Sequence, residues 1–549
     1  MRNSIDPIGL EVLWSRLIAV ADEAATTLVR TSFSPIVRES NDYSCVVFDA
    51  AGNAIAENTI GIPSFNLTVC RTLEHFLRWR PLDAWQPGDV AICNDPWIAS
   101  GHLPDVTIIA PLFDGRRRIG WAGSVAHMVD IGGTGWSADS RQVYEEGLRI
   151  PPMLLLRAGR PNEDLLQMVR ANVRLPDEVV GDLMAMVAAG QIAETRLKEI
   201  MAEAGLEDLC ELSREIRDRA ERSMRKAIAA IPDGVYRSAL DMDGSPEEPI
   251  HLEVAVTVSG EELSVDYDGT SPQIMSALNT VFAYTEAYTC YPLKCVLDPA
   301  TPRNEGSYRS IRVRAPEGSI LNPRFPAAVN ARQLVGHVLA GMLFDALSSA
   351  IPERIIGESG SAPTLRIVVS GLTEDGRAFN SILFVNGGMG ARPDGDGLPT
   401  ACFPSTVKAG AMEAVEAVSP VRIWHKEFST DSGGAGRYRG GLGQEVDVEV
   451  LPAAKAATLS LFVERTQHPA RGVLGGRSGA VARVVINEAS TGFPLKGRSR
   501  IRAGDRIRVW YPGGGGYGDP RSRDRDAVRA DVEGGVVSEH VAAEVYGLQ

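Results

Sequence analysis

Apolar residues recur at helical spacing in several parts of the chain and form short runs or alternating patterns elsewhere. Asp6 can cap a helix and Pro7 suits a first helical position, so a helix is predicted from there to about Thr31. Its apolar positions lie three or four residues apart, namely Leu10, Leu13, Leu17, Ala21, Ala24 and Leu28. The chain therefore begins with a long helix that buries one face.

The next hundred residues have the shorter pattern of strands. "CVVFDAAGNAIAEN" predicts a hairpin, and "DVAICNDP", "DVTIIAPLF" and "GRRRIGWAGSVAHMV" predict three further strands. Asp95 and Asp105 then fall at strand ends or in loops, which are common places for functional side chains.

Helical spacing returns from Pro161 to about Ile231, with Gly205 as a stop, and again from about Arg332 to Ser349. The last third is rich in glycine and in strand patterns, and the tail predicts a pair of terminal helices. These alternations indicate a multidomain α+β fold. The predicted divisions are a metal-site region of mixed α/β structure, a helical segment, a central α/β region and a β-rich, glycine-rich C-terminal region, at 1–160, 161–231, 232–430 and 431–549.

Composition narrows the class of protein. The 549 residues are 44% hydrophobic and 23% charged, with a formal net charge of -14, which argues against a general nucleic-acid binder or a protein held by charge on an anionic membrane. The N-terminus has no apolar signal core, and no apolar run is long enough to span a bilayer. The seven cysteines form no CxxC pair. We expect a cytoplasmic protein.

Two histidines and two aspartates near the predicted strand ends form the main chemical candidate. Asp42 precedes a strand, His102 and Asp105 stand in "GHLPDVTI", and His127 ends the strand "WAGSVAH". Nitrogen and oxygen ligands without thiolate suit a divalent Zn, Fe, Mn or Co ion. The spacing alone is also compatible with structural loop residues.

Longer strings resemble the hydantoinase B/oxoprolinase family, the B-type subunits of ATP-dependent hydantoinases and lactamases, which are related to the large subunit of acetone carboxylase. The matching strings are "DPIGLEVLWSRL", "ESNDYSCVVFDAAGN", "PGDVAICNDPW", "GHLPDVTIIAP", "AHMVDIGG", "EEGLRIPP", "NVRLPDEVVGDLMA", "DYDGTSPQ", "LNPRFPAAVNARQ" and "YPGGGGYGDP". They run in order along nearly the whole chain.

This resemblance implies a single divalent metal ion held by Asp42, His102, Asp105 and His127. It also implies a partner A-type ATPase subunit with an actin-like fold, which uses ATP to phosphorylate the substrate. The B-type subunit would then hydrolyse the phosphorylated intermediate and open the ring of a cyclic amide.

Three acidic residues are candidate catalytic groups, each with a plainer alternative. Asp130 in "DIGGTGW" is either a proton acceptor beside the metal or a turn residue, and Asp95 either orients a ligating imidazole or closes a tight turn. Glu146 is a candidate general acid or base, supported mainly by the resemblance. Arg332 is placed to pair with a phosphate or a carboxylate.

Two other functions stay open from the sequence. One is the large subunit of an ATP-dependent ketone carboxylase, which would use the same metal site and require bicarbonate. The other is a scaffold subunit that a metal stabilises and that performs no chemistry. The sequence does not choose among hydantoins, oxoproline, larger lactams and ketones as substrates.

Overall fold

The computed structural model describes residues 6–244 and 248–548. The helices are α1 (Pro7–Thr31), α2 (Pro35–Ser40), α3 (Pro63–Trp79), α4 (Glu163–Asn172), α5 (Pro176–Glu203), α6 (Cys210–Ile228), α7 (Phe282–Leu297), α8 (Gln333–Gly336), α9 (Leu339–Leu347), α10 (Met412–Val418), α11 (Arg525–Glu533) and α12 (Glu539–Glu544).

The strands of the first half are β1 (Tyr43–Asp49), β2 (Ala54–Glu57), β3 (Val90–Cys93), β4 (Asp105–Asp114), β5 (Arg117–His127), β6 (Met153–Arg157), β7 (Arg160–Pro161), β8 (Gly234–Met242), β9 (Ile250–Ser259) and β10 (Glu262–Asp266). Those of the second half are β11 (Ile311–Arg314), β12 (Arg366–Thr373), β13 (Ala378–Phe384), β14 (Val421–Phe428), β15 (Gln444–Val450), β16 (Ala454–Phe462), β17 (Arg483–Ile486), β18 (Lys496–Ile501) and β19 (Arg506–Trp510).

The first helix and the hairpin confirm their sequence predictions. The Asp6 side chain accepts hydrogen bonds from the backbone N–H groups of Ile8 and Gly9, which caps α1 where expected. The predicted hairpin forms as β1 and β2, paired antiparallel. The α+β class is confirmed as well, with several sheets separated by helical segments.

A seven-stranded sheet, in the order β2-β1-β5-β4-β3-β6-β7, carries the candidate metal residues. Helices α1 and α5 cover one face, where Ala122 and Ser124 of β5 point. Helix α3 covers the other face so closely that a Cβ on Gly123 would lie 2.5 Å from a Val69 methyl carbon. Burial on both faces explains why these strands appear in the sequence as continuous apolar runs instead of alternating patterns.

A second sheet, in the order β11-β10-β9-β8, packs against α6, α7 and α9. The third and fourth sheets, β13-β12-β16-β18 and β14-β15-β19-β17, share one hydrophobic core and form a sandwich. Both combine strands from the two sides of residue 430. The division into four regions stays a prediction.

Several glycine-rich segments meet backbone to backbone beside this sandwich. Gly514 donates its N–H to the carbonyl of Gly441, and its own carbonyl accepts from Gly434. A Cβ on Gly514 would overlap the carbonyl of Met389. "YPGGGGYGDP" therefore serves close packing between segments, which is the reason for its glycines.

The terminal helices α11 and α12 form the predicted pair and have a small apolar cluster of their own. Within residues 6–244 and 248–548, no helix has the length and apolar character needed to cross a membrane.

Candidate metal centre

Three neighbouring strands end or begin at one edge of the seven-stranded sheet. Asp105 opens β4 and lies directly opposite His127, the last residue of β5. Asp42 immediately precedes β1, and its carbonyl accepts a hydrogen bond from the N–H of His127. The antiparallel register thus brings together residues that are well separated in the sequence.

His102, Asp105 and His127 form a compact group that could hold a metal ion. One ligand atom from each lies within 4.8 Å of the others, and all three residues are buried. His102 Nε2 lies 2.9 Å from Asp105 Oδ1. Ligands bound at 2.0–2.2 Å and roughly at right angles would be about 3 Å apart. The spacing therefore suits a shared ion.

Hydrogen bonding around the group favours a cation as well. His102 Nδ1 lies 3.2 Å from the carbonyl oxygen of Asn330 and donates to it. A neutral ring then has no proton on Nε2, so Nε2 and Asp105 Oδ1 are two acceptors facing each other. Neither atom has a hydrogen-bond partner, and both nitrogens of His127 also lack one. Buried polar atoms rarely lack a hydrogen-bond partner, and a metal ion bound between these nitrogen and oxygen atoms would take the place of the missing partners.

Local electrostatics keep both imidazoles in the form that binds a metal. Burial, assisted by the positive charge of Arg332, lowers the pKa of His102, and burial lowers the pKa of His127 to about 3. Burial opposes ionisation of Asp105, but His102 and Arg332 outweigh it and hold the pKa of Asp105 below its ordinary value. The group therefore offers two neutral imidazoles and one carboxylate at neutral pH.

Asp42 lines the same cavity as the other three residues. Burial and the nearby charge of Asp105 raise the pKa of Asp42 to about 7. Its role as a fourth ligand stays a prediction.

Arg332 holds Asp105 in place. Its Nη2 donates to Asp105 Oδ2, its Nε donates to the carbonyl of Ser100 at 2.9 Å, and its guanidinium lies 4.0 Å from the ring centre of Tyr284. Arg332 therefore pairs with a carboxylate of the protein itself, and a pairing with a substrate phosphate or carboxylate stays a prediction. Because Oδ2 is engaged, Oδ1 is the oxygen that faces His102.

The cavity is small and mostly polar or aromatic. Besides the prospective ligands it is lined by Ile62, Phe65, Trp136, Tyr284, Tyr288, Arg332, Gln333, His337, Thr364, Arg366, Phe384 and Ser405. Its volume is about 40 Å³. That is room for an ion and at least one water, since a water needs roughly 10–15 Å³ of such space.

None of the three predicted catalytic residues lines this cavity. Asp130 accepts hydrogen bonds from the N–H of Gly132 at 3.2 Å and from Arg174 Nη1 at 2.7 Å. Asp95 accepts from the N–H of Trp97 at 3.1 Å, as a turn residue does. Their predicted catalytic roles are not tested by these contacts and stay predictions.

Glu146 is fully buried and forms hydrogen bonds with the backbone segment that contacts His102. Its Oε1 accepts from the N–H groups of Val329 at 2.7 Å and Asn330 at 2.8 Å. Burial raises the pKa of Glu146 to about 8 despite these two bonds. The carbonyl oxygen of Asn330 accepts one hydrogen bond from His102 Nδ1 and another from Trp136 Nε1, the latter at 2.8 Å.

Sequence reasoning missed Gln333, His337 and Arg366, all of which line the cavity. They lie more than two hundred residues beyond His102 and belong to no recognised ligand motif. The only available signal was the string "LNPRFPAAVNARQ", which contains Gln333.

The sequence profile of the hydantoinase B/oxoprolinase family matches residues 6–520. The chain belongs to the hydantoinase B/oxoprolinase family. Among its relatives is the caprolactamase subunit beta of Pseudomonas jessenii, 30% identical over 100% of this chain and 96% of the relative.

The 5-oxoprolinase of Saccharomyces cerevisiae is also 30% identical, over 94% of this chain but only 42% of the yeast protein. The crystal structure of the ATP-dependent caprolactamase from Pseudomonas jessenii superimposes with a TM-score of 0.91 at 29% identity, covering 99% of this chain and 96% of the other. Nucleotide-free acetone carboxylase gives a TM-score of 0.89 at 22% identity, covering 99% and 79%. At 22% identity, the likeness to acetone carboxylase concerns the fold alone.

Within the hydantoinase B/oxoprolinase family, the relatives that bear functional names support a cyclic-amide hydrolase of the ATP-dependent kind.

Proposed function

We propose that this chain is the metal-dependent hydrolytic subunit of an ATP-dependent cyclic-amide hydrolase. The observation that carries the proposal is the group His102, Asp105 and His127, whose ligand atoms converge in a buried cavity without hydrogen-bond partners. Asp42, at the wall of the same cavity, is the proposed fourth ligand.

The residues present fit a divalent ion with nitrogen and oxygen ligands, such as Zn, Mn or Fe. When bound, the ion supplies a Lewis acid and a water of lowered pKa at the reacting carbon. The protein's own groups keep the imidazoles neutral, orient His102 through the Asn330 carbonyl and fix Asp105 through Arg332. These contacts hold the prospective ligands in one arrangement.

Two guanidinium groups, those of Arg332 and Arg366, line the cavity. Their positive charge would attract a phosphorylated, anionic intermediate.

The ATP-using step is assigned to a separate A-type subunit with an actin-like fold. Two comparisons support a partner: the caprolactamase relative is named as a subunit beta, and more than half of the yeast 5-oxoprolinase lies outside the match. Either arrangement provides the second catalytic part that this chain would need. We also propose that the assembly works in the cytoplasm.

The test is co-expression with the A-type partner, followed by ATP-hydrolysis and product assays with hydantoin, 5-oxoproline, ε-caprolactam and acetone. We expect ATP hydrolysis coupled to ring opening of at least one cyclic amide, without any requirement for bicarbonate. ATP turnover that only a ketone stimulates, and only with bicarbonate, would instead establish a carboxylase. An inactive His127→Ala complex that is otherwise intact would exclude a purely architectural role.

A further inference from the structure

Gln333 has an unusual position in the wall of the metal cavity. It begins α8 directly after Arg332, lines the cavity and is only 5% exposed. Its side-chain Oε1 and Nε2 are both buried and neither has a hydrogen-bond partner. A carboxamide with both polar atoms unsatisfied is costly inside a protein unless a ligand or water completes it.

The neighbouring polar groups of the cavity are already engaged. Arg366 Nη1 donates to the Leu365 carbonyl at 2.9 Å, and the Tyr284 hydroxyl lies 3.0 Å from His337 Nε2. Among the described side chains that line the cavity, the buried atoms without partners belong to the prospective metal ligands and to Gln333. Gln333 is therefore a free polar group available to recognise an organic substrate beside the ion.

We propose that Gln333 recognises the amide edge of a cyclic amide. In a ring of five to seven atoms the amide is cis, so its N–H and its C=O lie on the same edge. A carboxamide matches that edge with one acceptor and one donor: Oε1 accepts from the ring N–H and Nε2 donates to the carbonyl oxygen. An open-chain trans amide presents these groups on opposite sides, and a ketone has no N–H.

The same side chain can serve the activated substrate. Once the amide oxygen has taken up the phosphoryl group and the ring nitrogen has released its proton to solvent, that nitrogen has a free lone pair, and Gln333 Nε2 can donate to it. Gln333 is thus a specificity-determining residue that reads the ring nitrogen before and after activation. This inference rests on the proposed function, and it further requires that the cyclic amide itself, and not only its phosphorylated form, reaches the cavity.

The experiment compares ε-caprolactam with N-methylcaprolactam, which lacks the N–H, on the metal-loaded complex with its partner subunit. KM and calorimetric affinity are measured for the wild type, Gln333→Met and Gln333→Glu. Gln191→Met is the matched control, because Gln191 is exposed on α5. Thermal unfolding checks that each variant is folded.

We expect the wild type to prefer caprolactam and Gln333→Met to lose that preference, with KM for caprolactam rising roughly ten- to thirtyfold for two lost hydrogen bonds. Gln333→Glu keeps an acceptor of similar size but cannot donate to the carbonyl, so it should retain part of the preference. Gln191→Met should behave as the wild type.

An unchanged preference in both folded Gln333 variants would overturn the assignment and leave the proposed function standing. A wild-type complex that ignores every cyclic amide and consumes a ketone with bicarbonate would overturn both.

Discussion

The Arg332 guanidinium donates a hydrogen bond to Oδ2 of Asp105, although 227 positions separate the two residues in the sequence. Both side chains are almost completely buried, at 3% and 1% exposure. A buried ion pair is costly to desolvate, and its geometry must be good to compensate. Here the pair leaves Asp105 Oδ1 free to face His102, which links the central part of the chain to the N-terminal sheet.

Arg332→Lys should weaken metal binding without abolishing it. Lysine retains the charge but cannot contact Asp105 and the Ser100 carbonyl with one planar group, as Arg332 does. Loss of such an outer contact typically costs 10–100-fold in metal affinity. Chelator competition would measure the metal affinity. Arg324→Lys is the control, because Arg324 pairs with an exposed glutamate at the surface. Equal affinities for the two variants would contradict the role given to Arg332.

His127→Ala should remove the metal. Both ring nitrogens of His127 lack protein partners, so the ring is available as a ligand and its loss breaks no side-chain hydrogen bond. Elemental analysis should show about one equivalent of metal in the wild type and a small fraction of that in the variant.

Added metal should also raise the melting temperature of the wild type alone, since an ion at 100 times its Kd stabilises by about 2.7 kcal/mol. His540→Ala, at an exposed position of α12, is the control. A His127→Ala protein that retains a full equivalent of metal would place the ion elsewhere.

Glu146→Gln should alter how stability depends on pH. The carboxyl has an ordinary pKa of 4.5 and a folded pKa of about 8, so the folded state retains a proton that the unfolded state releases. Its contribution is fully present below pH 4.5 and is lost as the pH rises through 8. Glutamine keeps the acceptor for Val329 and Asn330 and does not titrate.

The wild type should therefore lose stability relative to the variant between about pH 5 and pH 8, by up to a few kcal/mol, since one pKa unit corresponds to about 1.4 kcal/mol. Urea denaturation across this range measures the difference. A constant difference between the two proteins would show that Glu146 is ionised in the fold.

The sequence predicted what depends on local patterns. The strand runs and their polar ends placed Asp105 and His127 at strand ends, and the family resemblance strengthened the prediction that they share one metal site with Asp42 and His102. The register that sets Asp105 opposite His127 depends on pairing between β4 and β5, which no single segment encodes. Gln333 was missed because only the folded chain brings α8 to the wall of the cavity. Asp130 and Asp95 accept hydrogen bonds from nearby backbone N–H groups, and their predicted catalytic roles stay predictions.

Gly514→Ala should destabilise the protein strongly, although Gly514 does not line the metal cavity. Its Cβ would overlap the Met389 carbonyl, and the surrounding atoms are backbone held by hydrogen bonds to Gly441 and Gly434. Because backbone cannot rotate away as a side chain can, the loss of folding free energy should reach or exceed the upper end of the roughly 1–3 kcal/mol typical of overpacking.

Gly234→Ala is the matched control, since its Cβ would meet the Tyr236 ring at an ordinary 3.6 Å. Thermal unfolding, or the soluble yield if the variant does not fold, should separate the two. Equal stability would mean that the glycine segments are not packed against one another in solution.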